Sequence, residues 1–279
     1  MWFLKPNIGR LKTKRDVARL IQLLFDANRQ VREEALAAVI GLGEAAVPSL
    51  IGKLEFDSIR FDLDNHWVSI MLHGHGDRVE LLQEECRQRY PVVPALAKIG
   101  GPSVQPLLDV LKGCEFVSAR ILATLTLAMI EDERRIDALL VALESGLYPV
   151  RQLAAGALVS VGDARAVEPL IEVLERRGED YLTKLLSARA LGRIKDPRAI
   201  DPLIGFLDRQ LENRLDAAFQ ALAEIGEPAV GPLIESLASE NQATADKAAA
   251  VLAEITGQAF GRDIGKWRRW HQQAWQSNG

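Results

Sequence analysis

VGDARAVEPLIEVL, residues 161–174, is the stretch that decides the fold. A helix breaks at Gly162 and Asp163, and a second helix follows, with its apolar residues at Val167, Leu170, Ile171 and Leu174. Steps of three and four residues place such side chains on one face of a helix. The same steps run backwards from the break, at Val161, Leu158, Ala157, Ala154, Leu153 and Val150. The stretch therefore predicts two amphipathic helices joined by a short turn.

The same pattern recurs along the chain. It returns as AKIGGPSVQPLLDVL (97–111), GRIKDPRAIDPLIGFL (192–207) and AEIGEPAVGPLIESL (223–237). A proline falls in the first turn of each second helix, at Pro106, Pro169, Pro202 and Pro232. Proline is tolerated there because its missing N–H would have no intrahelical partner. No segment shows the strict alternation of a strand, so the sequence predicts an all-α protein.

The spacing of the breaks gives the architecture. The residue that closes each first helix is Gly43, Gly100, Glu131, Gly162, Lys195, Gly226 and Thr256, at intervals of 57, 31, 31, 33, 31 and 30 residues. A helical pair of this length cannot bury its apolar stripes alone, so the pairs must stack. We predict one right-handed α-solenoid of about eight pairs over 1–279, with an N-terminal cap helix (1–27), repeats (28–255) and a C-terminal cap (256–279).

The 57-residue interval contains DNHWVSIMLHGHGDR, residues 64–78. We interpret it as a degenerate repeat at about 56–88, with Gly76 as the missing break and Pro91 starting a shortened next unit. Its histidines, His66, His73 and His75, are weak candidates for metal ligands. Seven residues of helix separate the first two by roughly 10 Å, whereas zinc needs ligands near 2 Å. We therefore predict neither a metal nor a cofactor.

GDARAVEPLI, residues 162–171, resembles the HEAT-like repeat family named after the phycobilisome lyases. The resemblance covers almost the whole chain and implies a helical solenoid whose second helices line the concave face. It does not imply one activity, because the scaffold serves many tasks. Paired His-Glu motifs, which hold iron in a HEAT-repeat hydroxylase, are missing, because the residues after the four histidines are Trp, Gly, Gly and Gln.

Acidic residues recur on the second helices. They are Asp109, Glu172 and Glu235 at one equivalent position, and Glu168 and Asp201 about one turn earlier. On the expected concave face they predict a surface that binds a basic protein partner. The alternative is that acids early in a helix only offset its dipole and keep the surface solvated.

Basic residues lie eleven positions before the breaks, at Arg32, Arg89, Arg120, Arg151 and Lys184. They could bind phosphates. The favoured interpretation is structural, because HEAT-like repeats use a half-buried cation here to bond carbonyls or acids of the neighbouring unit.

The C-terminal segment carries Trp267, Trp270 and Trp275 beside two arginines. Such a cluster can stack on bases or lie at a membrane surface. We predict instead a cap helix that buries indoles against the last repeat, with Asp263 as its N-cap.

Composition narrows the function classes. With 34 basic and 38 acidic side chains the net charge is −4, which argues against a general nucleic-acid or membrane binder. Two cysteines exclude a disulfide framework. No apolar run approaches the roughly 20 residues of a membrane span, and no signal peptide is evident, so a cytoplasmic protein is expected.

No Gly-rich phosphate loop, GxSxG or HExxH motif is present. The sequence therefore predicts a non-catalytic protein–protein interaction scaffold or adaptor that binds its partner along the concave face. Two alternatives stay open. One is chromophore handling of the bilin-lyase kind, or another enzyme-associated role, and the other is nucleic-acid binding.

Overall fold

The computed structural model describes residues 6–58, 90–207 and 217–276. Within these ranges all regular secondary structure is helical. The chain divides into two compact units, Met1–Ala154 (unit 1) and Ala155–Gly279 (unit 2). The all-α prediction is confirmed, and the stacked helical pairs are those of an α-solenoid. The prediction of a single solenoid with caps at 1–27 and 256–279 stays a prediction.

Unit 1 contains two layers of helices. They are α1 (Ile8–Thr13), α2 (Val17–Leu23), α3 (Arg29–Ile40), α4 (Val47–Ser58), α5 (Val92–Ile99), α6 (Val104–Gly113), α7 (Val117–Met129) and α8 (Arg135–Leu143). The first helices α3, α5 and α7 contact one another in succession, and so do the second helices α2, α4, α6 and α8. Helix α9 (Tyr148–Val161) crosses the boundary of the two units.

Unit 2 repeats this arrangement. Its helices are α10 (Val167–Glu175), α11 (Tyr181–Ile194), α12 (Ile200–Leu207), α13 (Ala217–Ile225), α14 (Val230–Ser236), α15 (Gln242–Thr256) and α16 (Ile264–Gln276). The first helices α11, α13 and α15 form one layer, and the second helices α10, α12, α14 and α16 form the other. The four prolines predicted in the first turn of second helices are each the third residue of their helix.

Short 3-10 turns lead from first to second helices. They are Gly43–Ala46, Gly101–Ser103, Ala164–Ala166, Pro197–Ala199 and Glu227–Ala229. The last residue of each is fully buried and small, namely Ala46, Ser103, Ala166, Ala199 and Ala229. Because a packed interior leaves little spare volume, this position selects alanine or serine.

The break residues have a common backbone conformation. Gly43, Gly100, Gly162, Lys195 and Gly226 have φ between 58° and 78°. A left-handed residue after a helix is a common C-terminal cap, and it is easiest for glycine. In the last repeat the left-handed residue is Gly257, with φ 71°, whereas Thr256 is still helical. The predicted break at Thr256 is therefore wrong by one residue.

The break predicted at Glu131 has no left-handed residue. Ile130, the C-cap of α7, is extended with φ −75° and ψ 132°. Here Arg135 closes the helix instead, because its Nη1 donates to the carbonyls of Ala128 and Ile130. Burial lowers the pKa of Arg135 below its usual value.

The degenerate repeat predicted at about 56–88 falls mostly on 59–89, which lie outside the described residues. The helical pairs on either side are direct neighbours, since α3 contacts α5 and α4 contacts both α5 and α6. Pro91 is the N-cap of α5, which has 8 residues where α3 has 12. The predicted shortened unit after the interval is thus confirmed for its first helix.

In the described part of the chain, no single helix combines the length and apolar composition needed to cross a membrane. One bent pair, Arg29–Ile40 with Gly43–Glu55, meets both criteria together, at an angle of 116°.

Candidate functional site

The acids predicted on the second helices are all exposed to solvent. Asp109 lies on α6 in unit 1. In unit 2, Glu168 and Glu172 lie on α10, Asp201 on α12 and Glu235 on α14. Because α10 contacts α12 and α12 contacts α14, these four carboxylates belong to three neighbouring helices. The opposite side of each helix is buried and apolar.

Two of these carboxylates form ion pairs between neighbouring elements. Arg198, in the turn before α12, donates from Nη1 to Glu168 Oε1 at 2.7 Å. Arg268, on α16, donates from Nη2 to Glu235 Oε1 and Oε2 at 3.0 and 2.8 Å. All four side chains are more than half exposed, so each pair contributes little to stability. The charge of these two acids is nevertheless compensated within the chain.

The other three acids are less engaged. Asp109 accepts one hydrogen bond from Gln105 Nε2, at 2.8 Å, within its own helix. Glu172 and Asp201 have no side-chain partner within the ranges that the structure describes. They lie on contacting helices, so two neighbouring helices of unit 2 carry carboxylates that no described side chain compensates.

Three turns carry an Asp-x-Arg motif that sequence reasoning missed. In each, the aspartate accepts from the backbone N–H and the side chain of the arginine two residues on: Asp132 with Arg134, Asp163 with Arg165, and Asp196 with Arg198. These hydrogen bonds lower the pKa of all three aspartates, that of Asp132 to about 2. The regular spacing of Asp-x-Arg was the signal that could have revealed the motif.

The basic residues of the first helices are structural, as predicted. Each donates to a carbonyl at or just after the end of the preceding second helix, at 2.7 to 2.8 Å: Arg32 to Asp26, Arg120 to Cys114, Arg151 to Ser145 and Lys184 to Leu174. Lys247 on α15 donates to the carbonyl of Leu207 at 2.9 Å, but this carbonyl ends α12, one helical pair further back. A cation is favourable there because the last carbonyls of a helix lack intrahelical partners and carry a partial negative charge. Arg89 lies outside the described residues.

The C-terminal helix is anchored by one indole. Asp263 Oδ1 accepts from the N–H of Lys266 at 2.9 Å, so its predicted role as N-cap is confirmed. Trp267 is fully buried, and its Nε1 donates to the carbonyl of Gly261 at 2.8 Å. The rings of Phe260 and Trp270 meet it edge to face. The side chain of Trp275 lies outside the described part.

The histidines proposed as weak metal ligands, His66, His73 and His75, also lie outside the described residues. Within the ranges 6–58, 90–207 and 217–276, no three His, Cys, Asp or Glu side chains are grouped so that they could hold a metal ion.

The similarity of this chain to known proteins lies in its helical repeat. A search of curated sequences returns no significant match. Among solved structures, an engineered protein is 19% identical over 87% of this chain and 97% of its own, with a TM-score of 0.41. Human deoxyhypusine hydroxylase in complex with glycerol is 18% identical over 91% of this chain and 100% of its own, with a TM-score of 0.36. At these TM-scores neither similarity supports a functional argument.

The family model for HEAT repeats matches residues 104–184 and 167–254. Together the two matches span 104–254, which is 151 of the 279 residues and more than half of the chain. The helical pairs described above carry the match, and the chain belongs to the HEAT-repeat family.

Proposed function

We propose that the chain is a non-catalytic scaffold that holds a basic segment of a partner protein along its second helices. HEAT repeats generally mediate protein interactions, and extended repeat surfaces suit that task. The observation that carries the proposal is that Glu172 and Asp201, on the contacting helices α10 and α12, are compensated by no side chain among the described residues.

The negative charge of this surface favours a positively charged partner. Neighbouring helices pack at about 8–10 Å, so lysines or arginines at that separation could reach both carboxylates. Glu168 and Glu235 can join them when a partner cation competes with Arg198 or Arg268, since exposed ion pairs are weak. Asp109 offers the equivalent position in unit 1.

The two other functions considered from the sequence gain less support. Exposed carboxylates repel phosphates, which disfavours nucleic acid on this surface. No feature of the described residues favours chromophore handling. We therefore retain the scaffold as the proposed function.

Affinity capture from the source cells, followed by mass spectrometry, tests this proposal. The bait is the full chain, either wild type or with Glu172→Gln and Asp201→Asn together. We expect the wild type to retain a protein partner that the double variant loses. The matched control carries Glu224→Gln and Glu254→Gln, two exposed acids on the first helices α13 and α15, and should retain it. Equal capture by all three baits, or recovery of nucleic acid alone, would refute the proposed surface.

A further inference from the structure

Exposed large apolar side chains cluster in one part of the described chain. They are Phe25, Phe116, Val117, Val141 and Tyr148, at 41, 51, 37, 37 and 56% exposure. All five belong to unit 1. Phe25 and Phe116 lie in loops after second helices, and Val141 lies in the last turn of α8. Val117 and Tyr148 are the first residues of α7 and α9, directly after such loops. In unit 2, Tyr181 follows α10 in the same way, but its ring packs beside Phe206, with 6.4 Å between centroids. Apolar side chains clustered at a surface commonly mark an interaction site.

Two of these loops lie side by side. Helix α6 contacts α8, and each is the second helix of its pair, so their C-terminal ends point the same way. Phe116 lies in the loop after α6 and Val117 begins α7, whereas Val141 lies in the last turn of α8 and Tyr148 begins α9. The loops are open to solvent, because a Cβ added at Gly113 or Gly146 would meet no atom within 4 Å. With Glu115 and Glu144, which are also exposed, these four residues form what we name the aromatic edge.

The chain itself shows what such a ring attracts. Phe25 follows α2 as Phe116 follows α6, and the Nζ of Lys53 lies 4.7 Å from the centroid of its ring. A cation over an aromatic face is attracted by the ring quadrupole. Lys53 covers the ring of Phe25, whereas no described cation covers the rings of Phe116 and Tyr148. These two rings could therefore bind a cation from a partner.

We propose that the aromatic edge binds an extended basic segment of another protein. This inference rests on the proposed scaffold function and adds a second surface, in unit 1. Lysine or arginine side chains lie over Phe116 and Tyr148, with their charges near Glu115 and Glu144, while Val117 and Val141 pack against their alkyl stems. Neighbouring helices are about 8–10 Å apart, which matches side chains three residues apart on one face of an extended polyproline II segment, at about 3.1 Å per residue.

Fluorescence anisotropy with the purified full chain tests the proposal. The probe is a labelled twelve-residue peptide with arginine at every third position between serine and glycine. We expect it to bind, and a peptide with glutamate in place of arginine not to bind. The loss of one ring should weaken binding about fivefold, so Phe116→Ala with Tyr148→Ala should weaken it by more than tenfold. Tyr148→Phe keeps the ring and should stay within about twofold of the wild type.

Matched controls separate this proposal from the scaffold proposal. Phe25→Ala should leave the dissociation constant unchanged, because Lys53 already covers that ring. Glu172→Gln with Asp201→Asn should also leave it unchanged, because these acids belong to the other surface. Loss of binding in that acid variant alone would overturn the aromatic edge while supporting the second-helix surface. The proposed binding at the aromatic edge would be refuted if the wild type failed to bind the arginine peptide. It would also be refuted if a single-stranded oligonucleotide bound more tightly. In either case the capture experiment would still test the scaffold proposal.

Discussion

Gly192 on α11 is a point of close approach between two first helices. A Cβ placed there would lie 2.6 Å from the Cα of Ala221 on α13 and 2.8 Å from its Cβ. Backbone and a short side chain cannot move aside without moving the helix, so glycine is required for packing. Gly205 on α12 is different, because a Cβ there would meet nothing within 4 Å.

These two glycines give opposite predictions for the same substitution. Gly192→Ala should lower the free energy of unfolding by about 1–3 kcal/mol, because it forces α11 and α13 apart. Gly205→Ala should raise it by up to about 1 kcal/mol, because alanine is the better helix former and the space is open. Chemical denaturation of both variants measures the difference. A change of the same sign in both would contradict the close approach.

At the scale of the element, cations on first helices hold neighbouring helical pairs together, in addition to the apolar core. Lys184 on α11 is 8% exposed and donates to the carbonyl of Leu174 near the end of α10. We expect Lys184→Met to destabilise the protein by about 1–3 kcal/mol, because the buried carbonyl loses its partner. Arg193→Met, at an exposed position on the same helix, should change the stability by less than about 0.5 kcal/mol. Thermal or chemical unfolding of the two variants compares them, and equal losses would show that the hydrogen bond is not the cause.

The sequence predicted most of the elements because their signals are local. Apolar steps, the first-turn prolines and the glycine breaks each act within one turn of helix. The prediction failed by one residue at Thr256, where a glycine follows directly, and it did not foresee that Arg135 closes α7 in place of a left-handed residue.

The candidate site was predictable only in part. The position of Glu168 and Glu235 in their helices predicted exposed carboxylates. Their ion pairs with Arg198 and Arg268 join residues 30 and 33 apart, and these depend on how neighbouring pairs stack. The aromatic edge depends in the same way on α6 lying beside α8. Local patterns in one amino-acid sequence carry no information on contacts between residues so far apart in the chain.

At the scale of the whole molecule, the Asp-x-Arg turns link stability to acidity. The side chain of Arg134 donates to Asp132 and lowers its pKa from 3.8 to about 2, and Asp163 and Asp196 shift in the same direction for the same reason. A folded-state pKa below the unfolded value gives stability that is complete above about pH 4 and is lost as the pH falls from 3.8 towards 2.

Asp132→Asn tests this dependence. The amide oxygen of asparagine can still accept from the backbone N–H of Arg134, so the turn is preserved while the charge is removed. We expect the melting temperature of the wild type to exceed that of the variant at pH 6, and the difference to vanish near pH 2. Glu172→Gln, at an exposed position in the middle of α10, is the matched control and should follow the wild type throughout. A difference independent of pH would contradict the assignment.

The cation on each first helix also determines where such a chain can be shortened. Arg120 on α7 bonds backwards to the end of α6, and Lys184 on α11 bonds backwards to α10, so each of these second helices ends on a group supplied by the pair after it. A truncation between two sequence repeats would leave the last second helix with bare carbonyls and no counter-charge. A truncation at the left-handed turn, after Lys195 for example, keeps the donor Lys184 with its acceptor Leu174. The unit for deletion or duplication is thus a second helix together with the first helix that follows it.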